Sequence, residues 1–138
     1  MTFQIIEIFD STSGNILTKV LHQGNQVRAT VRGMDERPVP IGSPLQAEIS
    51  FDEILDWKVL NDFENSQSGI WQEQDGIHLR GRIHSILDYG DGRTIIDVYL
   101  QNGPEFFTVN LNASEEEGPD ANEGLEITVS HLILHPVP

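Results

Sequence analysis

The sequence predicts an all-β chain that closes into an antiparallel barrel. Three observations carry this reading. Residues 77 to 84 and 94 to 111 alternate apolar and polar side chains with a period of two, as half-buried strands do. Clusters of Gly, Pro, Asn and Asp punctuate the chain at short spacing. Outside 52–65 no stretch carries a helical stripe. At 138 residues, positions 1–138 suit a single barrel domain with its own core.

Taken in order, Phe3 to Phe9 is a short apolar strand, and Asp10 to Asn15 is a turn cluster. Ile16 to Leu21 forms a second strand. Gly24-Asn25 signals a hairpin into Val27 to Gly33, where Arg28, Thr30 and Arg32 face outward. Met34 to Pro44 holds three prolines and reads as an extended loop. Leu45, Ala47, Ile49 and Phe51 alternate with polar residues in a further strand. The next stretch, 52–65, reads two ways. Asp52 caps a short helix with Leu55, Val59 and Phe63 on one stripe, or Leu55, Trp57 and Val59 continue a strand. Ile70-Trp71 and then Gln74-Asp75-Gly76 give a short strand and a turn.

The centre of the chain is a three-stranded meander from Gly76 to Leu111. Ile77, Leu79 and Ile83 point inward, with Gly81 at a bend or close backbone approach. Residues 88 to 92 turn the chain, and Asn102-Gly103 forms a tight turn because both residues accept positive φ. Matching the apolar faces fixes the register, since a slip of one residue would turn a core outward. That register sets His84 opposite Asp97, Arg82 opposite Tyr99, Arg80 opposite Gln101, and Tyr99 opposite Phe106. The outward face thus gathers His78, Arg80, Arg82, His84, Tyr99 and Phe106 as a candidate binding face. The same residues also fit ordinary cross-strand pairing: His84 with Asp97, Tyr99 with Phe106 and, in the earlier strands, Arg28 and Arg32 with Glu48. Residues 113 to 124 are acidic and small and read as a mobile surface loop. Leu125 to His135 reads as one final strand, ended by Pro136.

Three segments together resemble an OB-fold, a small Greek-key barrel. HLRGRIHSIL is similar to its long curved first strand, TIIDVYLQNGPEFFTVNL to the hairpin that follows, and LEITVSHLILHP to its closing strand. The resemblance covers residues 76–136 and leaves the strands before residue 60 as extra N-terminal strands. It implies single-stranded nucleic-acid binding through aromatic and basic side chains such as Arg82, Tyr99 and Phe106.

Charge points the other way. The formal net charge is −14, and no Lys or Arg follows Arg93. Such a field repels a phosphate backbone and attracts basic partners. Glu115, Glu116, Glu117, Asp120 and Glu123 are the candidate acidic contacts for such a partner.

Other chemistries lack their signatures. The chain has no cysteine, which excludes disulfides and thiol catalysis and fits the cytoplasm. No segment offers the ~20 apolar residues of a membrane helix, and the N-terminus lacks the pattern of a signal peptide. Neither a Gly-Lys-Ser/Thr loop nor a Gly-x-Ser-x-Gly elbow occurs. His131 and His135 would lie ~13 Å apart on a strand, too far for one ion. The expectation is therefore a non-enzymatic domain without cofactor or metal, binding a basic protein partner as an inhibitor or immunity-type protein would. A single-strand nucleic-acid module is the alternative. Oligomeric state is not legible.

Overall fold

The computed structural model describes residues 1–12, 14–33, 41–88, 93–100, 105–112 and 122–137. The turn expected at Asn102-Gly103 and the acidic stretch as far as residue 121 lie outside the described residues, as does Gln101. The chain is all-β. It divides into two compact units: Met1–Leu55 with Ile70–His78 and Thr128–Pro138, and Asp56–Gly69 with Leu79–Ile127.

The first unit holds a closed five-stranded barrel. Its strands are β1 (Thr2–Thr12), β2 (Asn15–His22), β3 (Asn25–Arg32) and β4 (Pro44–Phe51), closed by the C-terminal Leu132–Pro136. That last strand runs parallel to β3 and antiparallel to β4, while β1 pairs with both β2 and β4. The alternation of residues explains the barrel. Phe3 and Ile5, Val20, Val27, Ala29 and Val31, Ala47, Leu132 and Leu134 are all buried. Each of the larger ones contributes about 1.5–3 kcal/mol relative to exposure. His22 is buried too, with its ring 5.1 Å from Phe3. Two register shifts in β1, at Ile5/Glu7 and Ile8/Asp10, let that strand curl around the barrel. The β2–β3 turn is Gln23-Gly24, both at positive φ, one residue earlier than the sequence signal.

The remaining strands are β5 (Ile54–Leu60), β6 (Gly69–Glu73), β7 (Gly76–Asp88), β8 (Arg93–Tyr99), β9 (Phe106–Asn112) and β10 (Gly124–Val129); the closing strand is then β11. They form a six-stranded sheet in the order β5-β10-β7-β8-β9, with β6 also paired to β7. The boundaries between the two units fall within β5, β6, β7 and β10. In the second unit the core gathers Phe63, Leu79, Ile83, Ile96, Val98, Leu100, Phe107, Val109, Leu111, Leu125 and Ile127.

Several expectations change here. The segment resembling the curved strand and hairpin of an OB-fold belongs to the six-stranded sheet. The closed barrel is built instead from the strands before residue 52, which the resemblance had left as extras, and from β11. Residues 52–65 are not helical: Ile54–Leu60 is a strand, followed by a single 3₁₀ turn at Asn65–Gln67. The final strand is two. The Ser130 N–H donates to the Glu53 carbonyl, and the chain passes from the sheet at Val129 to the barrel at Leu132. Finally, Arg28 and Arg32 do not face Glu48. Their strand lies between β2 and β11, and Glu48 is opposite His135.

Candidate functional site

The outward residues of the meander separate into three arrangements. His78 is buried, on a face expected to be open. Its ring stacks on Trp71 with centroids 5.2 Å apart and planes 7° apart. Nδ1 lies 3.1 Å from the Thr128 hydroxyl. Nε2 lies 2.8 Å from the Asp75 carboxylate and 3.4 Å from that of Glu73. The hydrogen bond from His78 holds the Asp75 carboxyl below its ordinary value; the imidazole charge adds to this against some desolvation. The hairpin β6–β7 builds the group. Glu73 ends β6, Asp75 sits in the two-residue turn, and His78 is third in β7. Among the described residues, Glu73, Asp75 and His78 set three metal-capable atoms within 4.8 Å of one another. Histidine spacing alone could not reveal this group. The Glu-x-Asp-x-x-His spacing acquires meaning only with the hairpin turn at 74–75.

Arg80 and Arg82 serve the second unit internally. Arg80 donates Nε to Glu126 at 2.7 Å, and Lys58 approaches the other oxygen at 3.4 Å. Burial alone would raise the Glu126 pKa, but the hydrogen bond and charge of Arg80, with Lys58, bring it below its ordinary value. Arg82 faces Tyr99 in register, as expected, but its guanidinium turns elsewhere. It donates to Asn65 Oδ1 at 2.9 Å, to the Asn122 carbonyl at 2.7 Å and to the Phe63 carbonyl at 2.7 Å. It also lies 5.4 Å from the Phe63 ring. It therefore clamps the loop after β5 and the approach to β10 against β7.

His84, Tyr99 and Phe106 form the third arrangement, a row across β7, β8 and β9. A register shift between Ile83 and Ser85 puts Ser85, not His84, opposite Asp97. His84 is displaced by this bulge and stacks on Tyr99 with centroids 4.3 Å apart. Tyr99 pairs with Phe106 as expected, with centroids 5.8 Å apart. Phe106 is 50% exposed, and β9 is paired on one side only among the described residues. Asp97 lies beside the row and accepts from Ser85 and Thr108. Of the acidic candidates, Glu115, Glu116, Glu117 and Asp120 lie outside the described residues. Glu123 is half-buried, and its carbonyl accepts from the Ile83 N–H.

A surface missed from sequence lies on the barrel. Phe9, exposed at the second irregularity of β1, carries the Arg28 guanidinium 4.8 Å above its ring. Next to Arg28 is a cleft of about 260 Å³ whose polar lining includes Thr30, Gln72, Ser130 and His131. The Gln72 side chain anchors it by accepting from the Arg28 backbone N–H at 2.8 Å.

Comparison with known proteins finds no family model, curated protein or solved structure that matches the chain. Among the described residues, no helix is long and apolar enough to cross a membrane.

Proposed function

We propose that the protein is a non-enzymatic binding module of the cytoplasm whose partner is a basic protein. An inhibitor or immunity-type role toward a basic toxin is one form of this. The observation that carries the reading is the row His84–Tyr99–Phe106, which ends half-exposed on an edge strand of the more acidic unit. By sequence that unit holds four Lys and Arg against thirteen Asp and Glu, a formal −9 of the chain's −14. Arginine and lysine side chains favour such rings, at about 0.5–1 kcal/mol per exposed contact. The edge of β9, unpaired among the described residues, adds backbone donors and acceptors for a partner strand. The surrounding negative field speeds the encounter with a cationic partner. The test is affinity capture at low and high salt with wild type, Tyr99→Ala and Phe106→Ala. Basic proteins retained by wild type, released by salt and lost from both variants support the reading. Identical capture by all three proteins refutes it.

A second reading rests on the barrel. A closed five-stranded barrel whose last strand enters beside the third is compatible with an OB-like Greek key, and such barrels bind oligonucleotides or oligosaccharides across strands 2 and 3. The Arg28–Phe9 pair and its cleft occupy that face. Salt-sensitive binding of a single-stranded oligonucleotide, lost in Arg28→Ala, would favour this reading. Its absence at low salt removes it.

A further inference from the structure

We propose that Glu73, Asp75 and His78 form a binding site for a divalent transition-metal ion of the Zn²⁺ class. The three ligand atoms lie within 4.8 Å of one another, with Nε2 of His78 2.8 Å from Asp75 and 3.4 Å from Glu73. Bonds of about 2.0–2.2 Å in tetrahedral geometry separate neighbouring ligands by roughly 3.3 Å, so this cluster needs only small adjustment. Asp75, in an exposed turn, has the freedom to make it.

The ligands are also oriented, as a metal site requires. Trp71 stacks flat on the imidazole and fixes its plane. Thr128 holds Nδ1, which leaves Nε2 directed at the carboxylates. Trp71 Nε1 donates to one Glu73 oxygen at 3.1 Å, and the other oxygen faces His78. Two carboxylates supply negative charge that a divalent cation neutralises, and the imidazole supplies the nitrogen donor that Zn²⁺ takes. The side chains of Glu73 and Asp75 are 60% and 65% exposed, so ion and water reach the site. An imidazole ligand selects first-row transition ions over Ca²⁺ and Mg²⁺, which favour all-oxygen sites. The backbone is built for the turn. Gly76 has φ +146°, and a Cβ there would lie 2.7 Å from the Val129 carbonyl oxygen.

The test is calorimetric titration of the chelator-stripped, tag-free protein with ZnCl₂ and, separately, CaCl₂. The expected result is one Zn²⁺ per chain. Asp75→Asn and Glu73→Gln are both exposed substitutions that leave the core intact, and each should weaken binding by about tenfold or more. His78→Gln should abolish binding, while His84→Gln and His131→Gln should bind as wild type. Perturbation of the His78 ring resonances by Zn²⁺ provides a readout independent of heat. The proposal is overturned if no Zn²⁺ binds at about 1 mM, far above the affinities of built zinc sites. Unchanged affinity in Asp75→Asn and Glu73→Gln, or Ca²⁺ binding as tight as Zn²⁺, overturns it as well.

Discussion

Arg82 and Arg80 look alike in the sequence, two cations on one strand face, yet each is held by different groups. Arg82 satisfies two backbone carbonyls and one amide through a fixed fork. Hydrogen bonds of a charged group contribute roughly 1.5–3 kcal/mol each, less than additively, so Arg82→Ala should cost about 2–4 kcal/mol in urea unfolding. Arg82→Lys should recover little, because an ammonium cannot span three acceptors in a plane. That cost rivals the ~2–5 kcal/mol expected for Ile83→Ala from cavity formation on the buried face. Strand periodicity sees only which face a side chain leaves, and so it sets Arg82 opposite Tyr99 without showing what its guanidinium meets. The carbonyls it meets come from Phe63 and Asn122, 19 and 40 residues away.

Arg80 permits a test with a definite sign. The folded pKa of Glu126 is lowered, so its contribution is fully present above its ordinary value of 4.5 and is lost as pH falls through the folded value. Arg80→Ala takes the guanidinium from a carboxylate only 8% exposed and keeps the Lys58 contact, at a cost of about 3 kcal/mol near neutrality. In that variant burial dominates and the Glu126 pKa rises. The cost of the substitution should therefore shrink as pH falls from 7 toward 4. A cost that stays constant across that range would mean Glu126 is hydrated in the fold.

At the scale of elements, the strands were legible and several of their junctions were not. Alternating residues located β2, β3, β4, β7, β8 and β9 because each has one dry face. β10 is buried on both faces, Glu126 and Thr128 included, because Arg80 and Lys58 lie against Glu126 and the His78 ring against Thr128. Leu125, Ile127 and Val129 alternate with Glu126, Thr128 and Ser130 as in a half-open strand, yet neither face of β10 is open. For 52–65 the helical and strand periods coincided, and only pairing of β5 with β10 decides between them. The break after Val129 carries no Gly or Pro, so Leu125 to His135 read as continuous. The bulge at His84 was equally silent. Glycine positions were more informative. Gly81 on the apolar side signals a bend or a close approach, and an added Cβ there would strike the Tyr99 carbonyl and Val98. Gly76→Ala meets both a positive φ and the Val129 carbonyl. It should destabilise by about 1–3 kcal/mol or more, measured by thermal or urea unfolding. Gly33→Ala, at a positive φ in open space, should cost less.

For the whole molecule, strand periodicity and the spacing of turns predict all-β architecture and a barrel, but not which strands close it. Barrel closure depends on β11 meeting β3 and β4 across about a hundred residues of sequence, and nothing local encodes that choice. The candidate face was legible in part. The Tyr99–Phe106 pair follows from strand register, whereas His84 joins it through a bulge, and the engagement of Arg80 and Arg82 depends on distant backbone and carboxylate groups. Charge was legible as a total, and the fold adds its distribution, −9 of −14 in the unit that carries the row.

The claim that this row meets a basic partner is tested most directly by photocrosslinking from position 106. Benzoylphenylalanine replaces Phe106 in one protein and the exposed Ile41 of the other unit in a second. Both are irradiated in cell extract at low and high salt. The expected result is an adduct with a basic protein from position 106, lost at high salt, and no such adduct from position 41. An adduct with nucleic acid from position 106, or the same protein adducts from both positions, would contradict it.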